Sequence, residues 1–288
     1  MAGAAVRLGQ RFPGRRALVT GAASGLGREV ALALARAGWR LAALDLNADG
    51  LAKVAGELSA AGASKVHTGT VDVRDAEAMA VAYAQAAEAL GGLDLVVNNA
   101  GVAVGGRFLE TPVEDWRWVL DINLLGMVNG CRAALPLLLA GGGGHVVNVA
   151  SAAAFGTMPG MAAYNASKAA ALSLTETLHC EYLDDDRLSF SCVMPVFFKT
   201  GLGDAMRAPP AERTAGRLLM DNADFTAADA ARFLLEGVAA KEFYVFCPPR
   251  VRGFWRFKRF LPMAFMRKVP AMRQKRLEAL MAAGKAPT

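Results

Sequence analysis

Residues Thr20, Gly21, Ala22, Ala23, Ser24, Gly25, Leu26 and Gly27 restrict the fold of this chain more than any other stretch. They follow an apolar run, Ala17, Leu18 and Val19, and lead into an Ala- and Leu-rich helical pattern that ends near Ala37. Strand, glycine turn, helix is the context in which a bare backbone approaches a pyrophosphate at a helix N-terminus. Three glycines in a loop carry little weight alone. The rest of the chain has to agree with them.

It agrees in its periodicity. Apolar runs at 17–20, 40–45, 66–71, 93–98, 145–149, 189–194 and 243–246 read as strands, and helical patterns lie near 25–37, 48–61, 75–90, 114–139, 162–184 and 226–239. This alternation predicts an α/β fold, a Rossmann-type doubly wound parallel sheet of about seven strands with helices on both faces. The 288 residues are 54% hydrophobic, which is material for a large core. One Rossmann-type domain over 1–249 with an extension over 250–288 fits better than two domains. Gly141 to Gly144 read as a flexible turn before the fifth strand.

Cys131, Cys180, Cys192 and Cys247 show no paired spacing, and His67, His145 and His179 show no ligand spacing. Neither a disulfide framework nor a metal site is expected. The first 14 residues lack the apolar core of a signal peptide. No run reaches the ~18 consecutive apolar residues of a membrane span. The expected location is cytoplasmic.

Tyr164 and Lys168 stand one turn apart if the Ala-rich run 162–178 is helical. A free tyrosine titrates near ~10. A cation within ~4–6 Å favours the phenolate, so the pair can serve as a general acid or base closer to neutrality. The bare spacing is common on ordinary helices, and its company gives it meaning. The glycine turn is followed by Asn98, Asn99, Ala100 and Gly101, then Asn123, then Ser151 thirteen residues before Tyr164. With these motifs in this order the chain resembles the short-chain dehydrogenase/reductase family, in its classical branch, over residues 12–250.

The resemblance implies a catalytic set of Asn123, Ser151, Tyr164 and Lys168. In it Tyr164 exchanges the hydroxyl proton while hydride passes between the carbinol carbon and a nicotinamide. Lys168 lowers the Tyr164 pKa and bonds the nicotinamide ribose, and Ser151 orients the substrate oxygen. Asn123 disturbs its helix, holds a water and relays the proton. The implied cofactor site comprises Gly21, Ser24, Gly25, Leu26, Gly27, Asp45, Asp72, Val73, Asn98, Ala100, Gly101, Tyr164, Lys168, Pro195 and Thr200. Asp72 matches the position that meets the adenine amino group. Asp45 ends the second strand; a carboxylate there accepts from ribose hydroxyls and repels a 2′-phosphate, and Leu46 and Asn47 supply no cation. NAD is therefore expected, with a helix N-cap as the structural alternative for Asp45. One departure is Val196, which follows Pro195 where the family usually has Gly and restricts the backbone.

Val102, Val104, Phe155, Met158, Pro159, Phe197, Phe198 and Met206 fall on loops expected at the C-terminal edge of the sheet. They predict an apolar pocket without a charged anchor, for a lipophilic secondary alcohol or ketone, under a mobile lid at 201–225. The alternative enzyme is an NADP(H)-dependent carbonyl or ketoacyl reductase. The alternative outside enzymes is a non-catalytic dinucleotide-sensing protein on the same fold. A homodimer or homotetramer is expected.

The whole-chain charge of +6 is uneven: residues 250–288 hold eleven Lys and Arg against Glu278 alone, a net of +10, so the first 249 carry −4. Phe254, Phe257, Leu261 and Phe265 recur at helical spacing, with Arg252, Arg256, Arg259 and Arg267 broadly opposite. Pro262 and Pro270 each suit the first position of a helix, so short segments are expected. A basic amphipathic piece over 250–276 can lie on an anionic membrane surface, or pack its aromatic face on the lid or a neighbouring subunit. No binding module accompanies the charge, so nucleic acid is not expected.

Overall fold

Seven strands form one sheet: β1 (Arg16–Thr20), β2 (Arg40–Asp45), β3 (Lys65–Thr70), β4 (Leu95–Asn98), β5 (Gly144–Val149), β6 (Leu188–Pro195) and β7 (Tyr244–Cys247). The computed structural model describes residues 2–203 and 205–283. Strand order is β3-β2-β1-β4-β5-β6-β7, and every pairing is parallel. Strands β4 and β5 are buried throughout, β1 and β6 almost so, while edge strand β3 is half exposed. Both faces of a parallel sheet must be covered, so its central strands read as continuous apolar runs. The sequence-based expectation of a doubly wound sheet holds. The order reverses between β1 and β4, which opens a crevice at their C-terminal ends.

Twelve α-helices are described: α1 (Ala2–Arg11), α2 (Gly25–Ala35), α3 (Ala48–Ala60), α4 (Ala76–Leu90), α5 (Val113–Leu120), α6 (Gly126–Ala140), α7 (Ala153–Gly156), α8 (Ala162–Glu181), α9 (Pro210–Asp221), α10 (Ala227–Ala239), α11 (Arg252–Phe260) and α12 (Pro262–Ala282). Helices α2, α3 and α10 cover one face, and α4, α6 and α8 the other. Helix α1 is an addition to the sequence reading; its Ala4, Ala5 and Leu8 are buried against the α2 and α10 side. The helix expected over 114–139 is interrupted by one π turn, Asp121–Leu125, between α5 and α6. Val113–Ala140 is long and apolar enough to cross a membrane by length and composition. Here Met127, Cys131, Ala134 and Leu138 bury its inner side on the sheet.

The stretch expected as a mobile lid contains a 3-10 turn, Gly201–Gly203, and helix α9. The tail also differs from expectation. Pro262 does open a helix, but Pro270 lies inside α12. A proline there removes one N–H and leaves the Met266 carbonyl without its intrahelical donor. Both residues face solvent, where water serves that carbonyl. The aromatic side of the tail packs on the protein's own body. Trp255 stands 5.2 Å from Tyr244 and 5.8 Å from Phe246 between ring centres, and Leu277 and Leu280 close over Leu218 of α9.

Candidate active site

The glycine turn is shaped by its lack of side chains. Gly21 has φ +64°, and a Cβ there would come 2.9 Å from Ala100 Cα. A Cβ on Gly27 would collide with the Gly21 carbonyl oxygen. Ser24 precedes the first turn of α2 without a capping hydrogen bond, so the helix N–H groups keep no side-chain partner at that end. Above the turn lies a cleft of about 390 Å³ bordered by Gly21, Ser24, Gly25 and Leu26 on one side and Ala100 and Gly101 on the other. Asp45, Asp72 and Val73 close one end, and Tyr164, Lys168, Pro195 and Thr200 the other. A side-chain-free cradle at a helix N-terminus, with a carboxylate beyond it, fits a dinucleotide.

Asp45 is not a helix cap. Its Oδ2 accepts from the Ala23 N–H at 2.9 Å and its Oδ1 from the Asn47 N–H at 3.0 Å, while Asn47 caps α3. The carboxylate thus ties the glycine turn to the end of β2. Asp72 is held by Arg74 through two Nε contacts of 3.0 Å, and this cation keeps the carboxyl below its ordinary range. Arg74 borders the same cleft, and the sequence reading missed it.

The two asparagines of the β4 turn part company. Asn98 does not face the cleft: it is buried, accepts from Tyr83 Oη at 2.8 Å and donates to Asn148 Oδ1 at 2.9 Å. Asn99 holds the glycine turn, donating to the Thr20 and Gly21 carbonyls at 3.0 and 3.1 Å. Successive side chains of a strand point to opposite sides, so only one of the pair could reach the cleft. The alternation was the signal that would have separated them.

On α8 the Tyr164 and Lys168 side chains share a face, with Lys168 Nζ 5.9 Å from the Tyr164 ring centre. Nζ donates to the Val149 carbonyl at 3.0 Å, at the end of β5. Ser151 Oγ donates to the Pro195 carbonyl at 3.3 Å and accepts from the Ala153 N–H. Burial raises the Tyr164 phenol above its ordinary 10.0, and the Ser151 hydroxyl bond opposes this. Burial also pushes the Lys168 ammonium from 10.5 down to about 8. Burial thus raises the Tyr164 phenol, where the sequence reading expected Lys168 to lower it.

Asn123 sits in the π turn, buried, with Oδ1 accepting from the Val102 N–H at 2.8 Å. Its Nδ2 donates to the Val102 carbonyl and to Ser167 Oγ, each at 3.0 Å. The extra residue of a π turn lets a side chain reach out of the helix register. Asn123 uses that reach to fix the loop that carries Gly101.

A second cavity of about 150 Å³ adjoins the cleft. Ser151, Met158, Met161, Phe197, Phe198 and Met220 line it, and among the described residues no charged side chain does. Of the residues expected there, Met158, Phe197 and Phe198 are present. Val102 borders the cofactor cleft and Pro159 a separate surface pocket. Val104, Phe155 and Met206 are corrections: all three are buried in packing clusters instead. Val196 does not take a positive φ; its N–H donates to the Cys247 carbonyl at 3.0 Å and it lines this cavity. Tyr164, Pro195, Phe198, Thr200 and Leu202 border both spaces.

Fold and site together define a nucleotide-dependent oxidoreductase of the Rossmann type. The sequence profile of the short chain dehydrogenase family matches residues 15–211, and the chain belongs to that family. It is 42% identical over 186 residues to "Probable oxidoreductase EphD" of Mycobacterium tuberculosis, covering 64% of this chain and 31% of that one. The match thus spans about a third of that relative's length. The fold is similar to a short chain dehydrogenase/reductase of Burkholderia phymatum in complex with NAD, with TM-score 0.79, 32% identity and coverage of 85% and 92%. It is also similar to an alcohol dehydrogenase of Thermococcus sibiricus complexed with 5-hydroxy-NADP, with TM-score 0.67, 27% identity and coverage of 81% and 95%.

Proposed function

We propose that this oxidoreductase interconverts a lipophilic secondary alcohol and its ketone, or an aldehyde, using NAD(H). The carrying observation is that Tyr164 stands where the dinucleotide-shaped cleft meets an uncharged cavity. When bound, the nicotinamide supplies the hydride chemistry. The chain's own residues supply position and the proton. Tyr164 Oη gives or takes the hydroxyl proton, and Ser151 holds the substrate oxygen toward it. Lys168, which borders the cleft 5.9 Å from the Tyr164 ring centre, would meet ribose hydroxyls and hold positive charge near the phenol. Asn123, buried behind Lys168, would hold the water that relays the proton, and Ser167, which accepts from Asn123 and donates to the Tyr164 carbonyl, holds it against α8. Binding across 150 Å³ of apolar cavity favours substrates whose bulk is hydrocarbon.

Two observations bear on the nucleotide. Asp45 borders the cleft where a 2′-phosphate would fall and favours NAD. Arg74 is the cation that could compensate, and this supports an NADP(H)-dependent reductase as the second reading. Its guanidinium is engaged by Asp72, which weighs for NAD. A homodimer or homotetramer completes the proposal. The test is a panel of lipophilic and short alcohols and ketones assayed with NAD and NADP at the nicotinamide absorbance, with mass measured by light scattering. Turnover of apolar substrates with NAD is expected. No turnover of any alcohol or ketone overturns the reading, and a preference for NADP overturns the part resting on Asp45.

A further inference from the structure

Residues 250–277 contain ten Lys and Arg and no Asp or Glu. They divide by what they touch. Near the ends four are tied to carboxylates of the body, Arg250 and Arg276 to Asp224, Arg252 to Glu242 and Arg273 to Glu212, and Lys275 beside them has no carboxylate in ion-pair range among the described residues. Those in the middle, Arg256, Lys258, Arg259, Arg267 and Lys268, have no carboxylate in ion-pair range among the described residues. Arg259 lies over the Trp255 ring and Lys268 over the Phe257 ring, each at 5.5 Å. The tail is stapled at both ends, and most of its unneutralised charge, five cations of six over 250–277, is gathered between the staples.

The same middle carries exposed apolar side chains. Helix α11 ends at Phe260, Leu261 breaks the path, and Pro262 opens α12. At this corner Phe260 is 77% exposed, Leu261 58% and Met263 60%. Trp255, on the inner side, roots α11 in the body, and buried Phe265 packs α12 against Phe257 of α11. Large apolar groups clustered in water mark an interaction site. A second copy of the chain is a poor occupant, since a two-fold contact would set this ring of cations against itself.

We infer that the α11–α12 corner docks on an anionic lipid surface. Phe260, Leu261 and Met263 enter the headgroup boundary while the five middle cations meet lipid phosphates and carboxylates. The corner is linked to the substrate cavity through Trp255, Phe246 and Phe155 of α7, the helix whose Ala153 and Gly156 line that cavity. A docked molecule would thus present its apolar cavity near a membrane that dissolves its substrate. The docking itself requires no part of the catalytic reading.

Full-length protein is floated with vesicles of phosphatidylcholine alone and with vesicles that also contain phosphatidylserine. Binding is expected with the second kind only, and it should fall by about tenfold or more from low to high salt. Phe260→Ser with Leu261→Ser and Met263→Ser changes exposed positions and should leave the thermal unfolding curve in place while removing most binding. Arg256→Glu with Arg267→Glu should remove the preference for phosphatidylserine. The inference is overturned if the protein ignores these vesicles at low salt, or if the serine variant binds as well as the parent. It is equally overturned if the serine variant changes oligomeric mass without any vesicle binding, or if duplex DNA outcompetes the vesicles. A protein that docks yet turns over nothing would overturn the function and leave the docking intact.

Discussion

Lys168 Nζ donates to the Val149 carbonyl at 3.0 Å, so the ammonium that shares a helix face with Tyr164 is anchored to the end of β5. Both groups are buried, and burial disfavours the charged form of each, raising the phenol and lowering the ammonium to about 8. The protonated phenol is the general acid for carbonyl reduction, and the phenolate is the base for alcohol oxidation. Oxidation should therefore keep rising with pH on the alkaline side of 8, while reduction holds at neutral pH and falls as the phenol ionises. The check is kcat/KM in both directions across the alkaline range. An oxidation rate already level at pH 7 would contradict it.

Tyr164→Phe removes the hydroxyl and little else, for the ring stays in its packing cluster with Ala103, Val104 and Met206. NADH binding, read by fluorescence, should be nearly unchanged. Turnover should fall by ~10²–10⁴-fold, the usual cost of losing a positioned acid or base. A variant with half the parent's rate would remove Tyr164 from its assigned role.

Asp45→Ala deletes two backbone hydrogen bonds, to Ala23 and Asn47, along with the negative charge. Hydrogen bonds to charged groups contribute about 1.5–3 kcal/mol each, with less lost at the exposed Asn47 N–H than at the half-buried Ala23 N–H. NAD affinity should fall by about tenfold or more, and the gap to NADP should narrow because the repulsion goes too. Titration with each nucleotide reads both effects. An unchanged ratio of the two affinities would detach Asp45 from nucleotide choice.

What the sequence made legible follows from which forces act locally. The sheet was readable because β1, β4, β5 and β6 must be apolar on both faces, and the glycine turn because Gly21 and Gly27 admit no side chain. The Tyr164 and Lys168 face was readable from helical spacing alone. Long-range packing was not readable. Whether Asn98 or Asn99 faces the cleft depends on strand register, and whether Phe155 lines a cavity or buries against Phe246 depends on where α7 lies. Arg74 was missed because its partner, Asp72, had been read only for its nucleotide contact. The Tyr164 shift was misread because a linear pattern shows a nearby cation and hides the loss of water around both groups.

Helix α12 holds the cavity wall through α9. Arg273 Nη2 lies 2.7 Å from Glu212 Oε2, Leu277 and Leu280 cover Leu218, and Met220 at the end of α9 lines the apolar cavity. Leu277→Ala with Arg273→Ala should loosen α9 and raise KM for lipophilic substrates several-fold. KM for a short alcohol that does not reach Met220 should move little. Equal changes for both substrates would mean the damage is global and not a loosened wall.

His145 is fully buried between Arg11 and Ser191. Ser191 Oγ gives its proton to the Glu242 carbonyl at 2.6 Å, so it accepts from His145 Nε2–H; Nδ1 is left unprotonated and accepts from Arg11 Nη1 at 3.0 Å. A second ring proton would face the Arg11 guanidinium, and burial first, then the charges of Arg11 and Lys241, hold the imidazole well below its ordinary 6.5. The unfolded chain binds this proton near 6.5 and the folded chain does not, so stability rises with pH between the two values. The contribution is complete above 6.5 and is lost as pH falls from there toward the folded value. Urea unfolding at pH 7.5 and pH 5 should show the parent losing stability, with a smaller loss in His145→Gln, whose amide can meet Arg11 and Ser191 without titrating. If both proteins lose the same amount between the two pH values, His145 is not the acid-sensitive group.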